Sequence, residues 1–399
     1  MKENIFELTN EELKQIANNL QEKIEMGLEK DGTEILCIPT YINPKDEIAP
    51  GRVLALDWGG TNFRAAIVEL ASGRDPAIIE VKKKLLSAKE AIGFSQNDLL
   101  GEMASLIGSL EHLDNQVTRI GYCFSYPAEC LTDGDARLLR WTKGFEINEM
   151  VGGLVGKSLM DYLNDDPGIA TTFTDIKVIN DTVACLFAGL SDAGKDAYIG
   201  LIVGTGTNMA GLMQMNKIAK LHNKGRGFVP VNLESGNFNP PYLTVMDGLV
   251  DAMSNNKGSQ RFEKAISGGY LGEIFKTVFC ENKIRYDFDG EALSKLMNNP
   301  QGHPAAYVDV ANWLFDRSAN LVAASLAGLI QVMLSHNEAV KTVCIAADGS
   351  VFWKSSADYH VQVADQLRAL LPADVVVTFA DEAKMAEANL IGSAIAAMS

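Results

Sequence analysis

An α/β protein of two related lobes is what this sequence predicts, on three observations. First, apolar residues 53–56 run into the turn Asp57-Trp58-Gly59-Gly60-Thr61-Asn62, and residues 65–70 lead out with further strand formers. That is the pattern of a β-hairpin with a glycine-rich, polar tip. Second, the device returns at residues 200–212, where an apolar strand meets Gly204-Thr205-Gly206 and a second strand leaves. Gly60-Thr61-Asn62 and Gly206-Thr207-Asn208 echo each other, and an internal echo suggests lobes of common design. Third, 399 residues with 47% hydrophobic content suffice for two domains with substantial cores.

From the N-terminus, residues 1–30 carry an amphipathic helix pattern rather than a signal peptide. Thr9 and Glu12 have capping-box spacing, and Leu13, Ile16, Ala17, Leu20, Ile24 and Leu28 share one face. Residues 42–51, with two prolines and mixed charge, read as a linker. Strands at about 53–57, 63–70 and 77–84 suggest a meander, followed by a helix near 97–112 and a strand at 119–124 ending in Ser125-Tyr126-Pro127. A further strand ends at Ile179, and a helix follows from Val183. The lobe boundary falls just after, giving a small lobe at 51–190 and a large lobe at 191–383 that includes the N-terminal stretch 1–50. The large lobe opens with a strand at 197–203, and a third strand-to-turn unit runs from 342 to 347 into Asp348-Gly349-Ser350. The longest apolar run, 321–334, is too short to span a bilayer and reads as a buried helix.

A formal charge of −16 argues against nucleic acid as a partner, since binding it relies on Lys and Arg neutralising phosphates. It argues equally against an anionic membrane surface. Six cysteines (37, 123, 130, 185, 280, 344) without a C-x-x-C pair fit reduced cytosolic thiols better than a disulfide framework. Five histidines show no zinc-ligand spacing, so no structural metal site is expected. The segment 152–158 approaches a P-loop, but Val151 stands where the first glycine belongs. Gly204, Gly206 and Gly211 likewise miss the dinucleotide-fold spacing.

The chemistry concentrates in the turns. Adjacent Gly59 and Gly60 let backbone amides approach a ligand without a Cβ between them, forming an anion-binding nest. Asp57 at the turn entry can hold Mg²⁺, directly or through water, because that ion prefers hard oxygen ligands. The turn therefore suggests a Mg²⁺–nucleotide phosphate site; an ordinary two-glycine hairpin is the competing reading. Asn180-Asp181-Thr182 marks a strand-to-helix junction, where ligands collect in open α/β sheets. A carboxylate there can accept a hydroxyl proton, though the same residues suit a plain helix N-cap.

Seven segments in order resemble the hexokinase family of sugar kinases: residues 56–64, Phe124-Ser125-Tyr126-Pro127, Trp141-Thr142-Lys143-Gly144-Phe145, Asn180-Asp181-Thr182, Gly204-Thr205-Gly206-Thr207-Asn208, residues 266–273 and Asp348-Gly349-Ser350-Val351. The resemblance runs from about Arg52 to Trp353. It implies a two-lobed actin-like ATPase (ribonuclease H-like) fold with an interlobe cleft, onto whose small lobe the helical stretch of about 384–399 packs back. It implies ATP-dependent phosphorylation of a hexose at the 6-hydroxyl, with ATP and Mg²⁺ as cofactors and small molecules as partners. Asp181 is then the base, assisted by Lys143 and Arg64. Ser125, Thr142, Lys143, Asn180, Asp181, Asn208, Glu234 and Glu273 match the sugar-binding positions. Asp57, Gly59, Gly60, Thr61, Asn62, Arg64, Thr205 and Gly206 match the phosphate side, with Asp57 holding Mg²⁺ through water, and Gly349 and Ser350 match the adenosine side. Taken alone, Arg64 suits a cross-hairpin carboxylate pair, and Glu234 and Glu273 suit a solvated surface. The chain departs from the family at Trp58, where an aliphatic residue is usual, and after Pro127 and Glu234, which puts the preferred hexose in doubt. A non-catalytic sugar sensor of the same fold, or a kinase for another sugar, is the alternative. Oligomeric state is not legible.

Overall fold

The computed structural model describes residues 3–44, 48–221, 225, 227–279, 288–355 and 358–399. Part of the predicted linker (Lys45, Asp46, Glu47) and Cys280 lie outside the described residues. In chain order, the principal elements are α1 (Asn10–Glu29), β1 (Gly51–Trp58), β2 (Asn62–Leu70), β3 (Ala77–Leu85), α2 (Gln96–Gly108), β4 (Arg119–Phe124), β5 (Asp175–Ile179), α3 (Asp181–Gly189), β6 (Ala197–Val203), β7 (Thr207–Gln214), α4 (Gly268–Val278), α5 (Ala305–His336), β8 (Thr342–Asp348), β9 (Val376–Phe379) and α6 (Ala388–Ala397). They belong to two compact units.

The first unit comprises Ile38–Ala193, Gly227–Asn232 and Ala383–Ser399. Its sheet has the order β3-β2-β1-β4-β5. The meander pairs are antiparallel, whereas β1, β4 and β5 run parallel. Side chains alternate between faces along a strand. Leu54, Leu56 and Trp58 therefore join one apolar core with Leu99 and Met103 of α2. Val53, Ala55 and Asp57 point the other way, towards α6. That helix lies so close that a Cβ on Gly392 would stand 1.8 Å from the Ala184 carbonyl oxygen of α3. Trp58 is fully buried among the rings of Tyr126, Phe145 and Trp141, at centroid distances of 5.0, 5.1 and 5.8 Å. Its indole N–H donates to the Leu86 carbonyl at 3.2 Å. An aromatic residue in the hairpin tip thus packs against loops following β4.

The second unit comprises Met1–Cys37, Gly194–Arg226 and Leu233–Glu382. Within it β7-β6-β8-β9 are neighbours; β6 and β7 form the antiparallel hairpin, while β8 runs parallel to β6 and β9. The Thr9–Glu12 capping box is present at α1, and all six residues of the predicted face are buried. The helix itself is Asn10–Glu29, and the rest of the stretch 1–50 is not part of it. The apolar run 321–334 belongs to α5, which has 32 residues and is, by length and composition, long enough to cross a bilayer. The helix is longer than the apolar run alone, and the reading of that run as a buried helix agrees with the 78% of the apolar window that is buried inside the protein. Arg317 is buried too, in a two-pronged ion pair with Asp247 at 2.8 and 3.0 Å.

Candidate functional site

In the first unit, the hairpin register sets Asp57 opposite Arg64. The Arg64 Nε and Nη2 donate to Asp57 Oδ2 at 2.8 and 2.7 Å. Its Nη1 donates to Glu387 Oε2 at 2.6 Å. The cross-hairpin ion pair weighed from sequence is thus present. Burial opposes the guanidinium charge, but Asp57 and then Glu387 outweigh it and raise the Arg64 pKa. Asn389 at the start of α6 donates from Nδ2 to Asp57 Oδ1 at 3.1 Å. Asp57 is 6% exposed, so this triple engagement satisfies a carboxylate that burial would otherwise penalise. An ionised carboxylate has about four acceptor positions, and three are filled by these N–H groups. What remains on Oδ1 suits a metal-bound water better than a closed cage, and Mg²⁺ habitually keeps several waters.

The turn itself depends on Gly60, whose φ of 125° lies in the left-handed region. A Cβ there would fall 2.7 Å from Lys143 Cδ. Lys143 is itself left-handed, with φ of 57°. Its ammonium donates to the carbonyls of Gly59 at 2.6 Å and Ser125 at 2.9 Å, and lies 5.1 Å from the Tyr126 ring centre. The Thr142 carbonyl accepts from Phe145 N at 3.2 Å and closes the turn that presents Lys143. One lysine therefore ties the β1–β2 hairpin to the loop after β4. Asn180 is the N-cap of α3, its side chain accepting from Thr182 N at 2.9 Å. Asp181 is the first helical residue, with Oδ1 accepting from the same N–H at 2.8 Å. The buried Cys123 thiol is pushed well up by burial and by the charges of Asp57 and Asp181, which both bear on it. Asp57, Ser125 and Asp181 thus gather at the carboxyl ends of the parallel strands β1, β4 and β5, where the chain leaves the sheet and frees backbone groups for ligands.

In the second unit, Gly204 N donates to Gly206 O at 2.9 Å to close the β6–β7 turn. The first two residues of α4 clasp that turn: Gly268 N donates to Gly204 O at 2.8 Å and Gly269 N to Thr205 O at 3.1 Å. Thr205 and Ser350 line one cavity of about 600 Å³ with Gly268, Gly269 and Lys295. Gly349 N donates to Asp348 Oδ1 at 2.6 Å beside it. Asn208 Oδ1 accepts from Ser235 N at 3.1 Å and so pins the residue after Glu234, which is left-handed at φ 56°. Glu273 is half exposed and pairs with Lys276 at 2.9 Å.

Of the eight residues expected to contact a sugar, Ser125, Thr142, Lys143, Asn180 and Asp181 lie in the first unit, and Asn208, Glu234 and Glu273 in the second. Three further residues take part that sequence reading did not single out. Glu387 and Asn389 engage Arg64 and Asp57. Glu263 Oε2 accepts from Thr207 N at 3.0 Å and stands 2.6 Å from where a Gly206 Cβ would be. Burial raises the Glu263 pKa, the Thr207 bond opposes this, and the charge of Glu234 adds to it. No local motif marks these three; only their distant partners do.

Two sequence profiles, each described as hexokinase, match residues 2–190 and residues 198–308 together with 290–399. Hexokinase-2 of Oryza sativa subsp. japonica is 31% identical over 354 residues, covering 84% of this chain and 69% of its own length. Hexokinase-1 of Spinacia oleracea is 29% identical over 443 residues, covering 97% and 87%. Among solved structures, the hexokinase from Schistosoma mansoni complexed with glucose is similar, with a TM-score of 0.80 and 25% identity over 99% of this chain and 96% of that one. A second hexokinase crystal structure has a TM-score of 0.82 at 24% identity, covering 99% and 97%, a likeness that speaks to the fold. The architecture is accordingly that of the two-lobed actin-like ATPases.

Proposed function

Since this chain belongs to the hexokinase family, we propose that it transfers the γ-phosphoryl group of Mg·ATP to the 6-hydroxyl of glucose or a close relative. The observation that carries the residue-level reading is the gathering of Asp57, Ser125 and Asp181 at three parallel strand ends beside a glycine turn. Glucose as acceptor draws on two relatives: the Schistosoma mansoni hexokinase was solved with glucose, and a glucokinase of Aspergillus niger is 32% identical over 294 residues.

In this reading Asp181 accepts the proton of the sugar hydroxyl on Oδ2, the oxygen not engaged by Thr182. The hydroxyl oxygen bonds to the γ-phosphorus as the bond to the β–γ bridging oxygen breaks, leaving ADP. Phosphoryl transfer has a loose transition state, so positioning and charge stabilisation matter more than base strength. Lys143 supplies charge from a fixed perch on Gly59 and Ser125. Arg64 holds Asp57 in orientation for a hydrated Mg²⁺. When bound, that ion, held by Asp57 through water, would offset the negative charge of the phosphates. Amides of Gly59, Gly60, Thr61, Asn62, Thr205 and Gly206 face the phosphates, and Gly349 and Ser350 the adenosine. Ser125, Thr142, Asn180, Asn208, Glu234 and Glu273 meet sugar hydroxyls, each of which both donates and accepts. A reducing, cytoplasmic setting fits six cysteines at irregular spacing without a C-x-x-C pair. The test is a coupled ADP-release assay across a panel of hexoses, with and without Mg²⁺. Hexose-dependent ADP release is expected; absence of sugar phosphate with every common hexose overturns the reading.

A further inference from the structure

Two glycines of the second unit leave room for one carboxylate. Glu263 lies on the short helix Arg261–Ile266, and its Oε2 accepts from Thr207 N at 3.0 Å. The same oxygen stands 2.6 Å from where a Gly206 Cβ would be and 3.7 Å from where a Gly236 Cβ would be. The Glu263 Cβ lies 3.4 Å from the second of these points. The side chain is thus seated between the β6–β7 turn and the segment that follows Glu234, in space that a side chain on residue 206 would need.

The backbone of the same residue fastens a third segment. The Glu263 carbonyl accepts from Ser267 N at 2.9 Å. Ser267 is the N-cap of α4, the helix that clasps the turn through Gly268 and Gly269 and that carries Glu273. Side chain and carbonyl together therefore join the turn of Thr205, the segment of Glu234 and the helix of Glu273.

The seat is electrostatically unfavourable. Burial opposes the Glu263 charge, and the charge of Glu234 adds to that opposition. Lys264 is adjacent in sequence, but its ammonium is committed to Asp251 Oδ1 at 2.7 Å and to the Asn256 carbonyl at 2.9 Å. Among the described residues Glu263 makes no ion pair of its own. A packed apolar residue would avoid the desolvation penalty but could not accept from Thr207 N.

We propose that Glu263 is a positioning residue that sets the β6–β7 turn against the Glu234 segment and α4, so that the nucleotide-side and sugar-side groups of the second unit are held in one arrangement. The proposal rests on the reading of Thr205, Glu234 and Glu273 as ligand-facing, and adds a residue that meets neither ligand. One support shared by both sides implies that its loss weakens both ligands. Glutamine has the same shape and keeps an acceptor oxygen for Thr207 N, so it preserves the role.

The experiment is calorimetric titration of the full chain with glucose and, separately, with Mg·ADP, with a melting curve for each protein. Comparison proteins are Glu263→Ala, Glu263→Gln and, as a core truncation in the same unit, Ile16→Val at a fully buried position on α1. In Glu263→Ala, Thr207 N loses its acceptor, and both ligands should bind roughly fivefold to a hundredfold more weakly, the range of an orphaned buried N–H. Glu263→Gln should stay within about threefold of wild type for both. Ile16→Val should melt lower yet bind both ligands as wild type does. Wild-type affinities in Glu263→Ala overturn the proposal, as does a loss confined to one ligand, or a loss in Glu263→Gln equal to that in Glu263→Ala. A loss in Ile16→Val equal to that in Glu263→Ala also overturns it, because affinity would then follow stability alone. So does a wild-type chain that fails to bind either one of the ligands. A wild-type chain that binds both but phosphorylates no hexose sinks the catalytic reading instead, and the Glu263 comparison still decides.

Discussion

Replacing Asp181 by Asn separates its two possible roles. As a structural residue Asp181 opens α3, where a carboxylate near the helix N-terminus is worth about 0.3–1 kcal/mol. Its Oδ1 also accepts from Thr182 N at 2.8 Å. Asparagine keeps an acceptor oxygen at Oδ1 and remains compatible with a first helical turn, and Asn180 independently provides the N-cap. The structural cost of Asp181→Asn is therefore at most about 1 kcal/mol, too little to unfold the chain. What the substitution removes is Oδ2 as a proton acceptor. A positioned general base contributes typically ~10²–10⁴-fold in rate, which is at least about 2.7 kcal/mol of barrier. The two scales do not overlap, so kinetics and melting discriminate between them. The expected result is kcat lowered at least ~100-fold, kcat/KM lowered equally, hexose Kd within a few-fold of wild type, and a melting curve almost unmoved. A purified variant with near-normal kcat would show that Asp181 only starts the helix. A large fall in melting temperature would show that the lost rate reports folding rather than proton transfer.

Three stability predictions follow from packing and charge. Trp58→Ala empties a site ringed by Tyr126, Phe145 and Trp141 and should cost about 3–5 kcal/mol; scanning calorimetry should show a lowered transition, and an unmoved one refutes the assigned packing. Gly392→Ala drives a Cβ to 1.8 Å from the Ala184 carbonyl oxygen. That overpacking should cost roughly 1–3 kcal/mol and weaken Mg·ADP binding as well, because α6 begins beside Asn389 and Glu387; unchanged stability would argue against so close a crossing. Burial opposes the Asp247 charge, but Arg317 and then Thr244 overcome it and hold the pKa below the usual carboxylate value. A depressed folded pKa stabilises the native state above the unfolded value of about 3.9 and loses that contribution as pH falls through the folded value. Asp247→Asn should therefore flatten the acid limb of the stability profile below about pH 4 while costing about 3–5 kcal/mol near neutrality, because Arg317 is left buried and unpaired. An acid limb as steep as wild type would contradict the pair's role.

The contrast between what was legible in the sequence and what was not follows contact distance along the chain. The hairpins at Asp57 and Thr205 announce themselves because alternating apolar runs and glycine punctuation are local signals. So does α1, whose capping box and buried face lie within twenty residues. Arg317 in α5 is the opposite case. Its charge looks solvated until Asp247, 70 residues away, is seen beside it, with the Phe6 ring 4.7 Å away. The alanine-rich C-terminal stretch gave no sign that its helical run would break before Ala388, yet the break is where Glu387 turns to Arg64.

The candidate site repeats this division. Asp57 and Arg64 are seven residues apart and joined by hairpin register, so one strand pairing predicts both. Glu387 and Asn389 stand 323 and 332 residues from the partners they hold. No local pattern encodes that distance. What encodes it is the close approach of α6, which the small residues Gly392 and Gly121 permit: a Cβ on either would meet backbone oxygen at 1.8 and 1.9 Å. Those glycines read in the sequence as weak helix and strand residues. Their physical role is to bring the helix start, with its carboxylate and amide, against the β1–β2 hairpin, so that Asp57 is oriented from two directions.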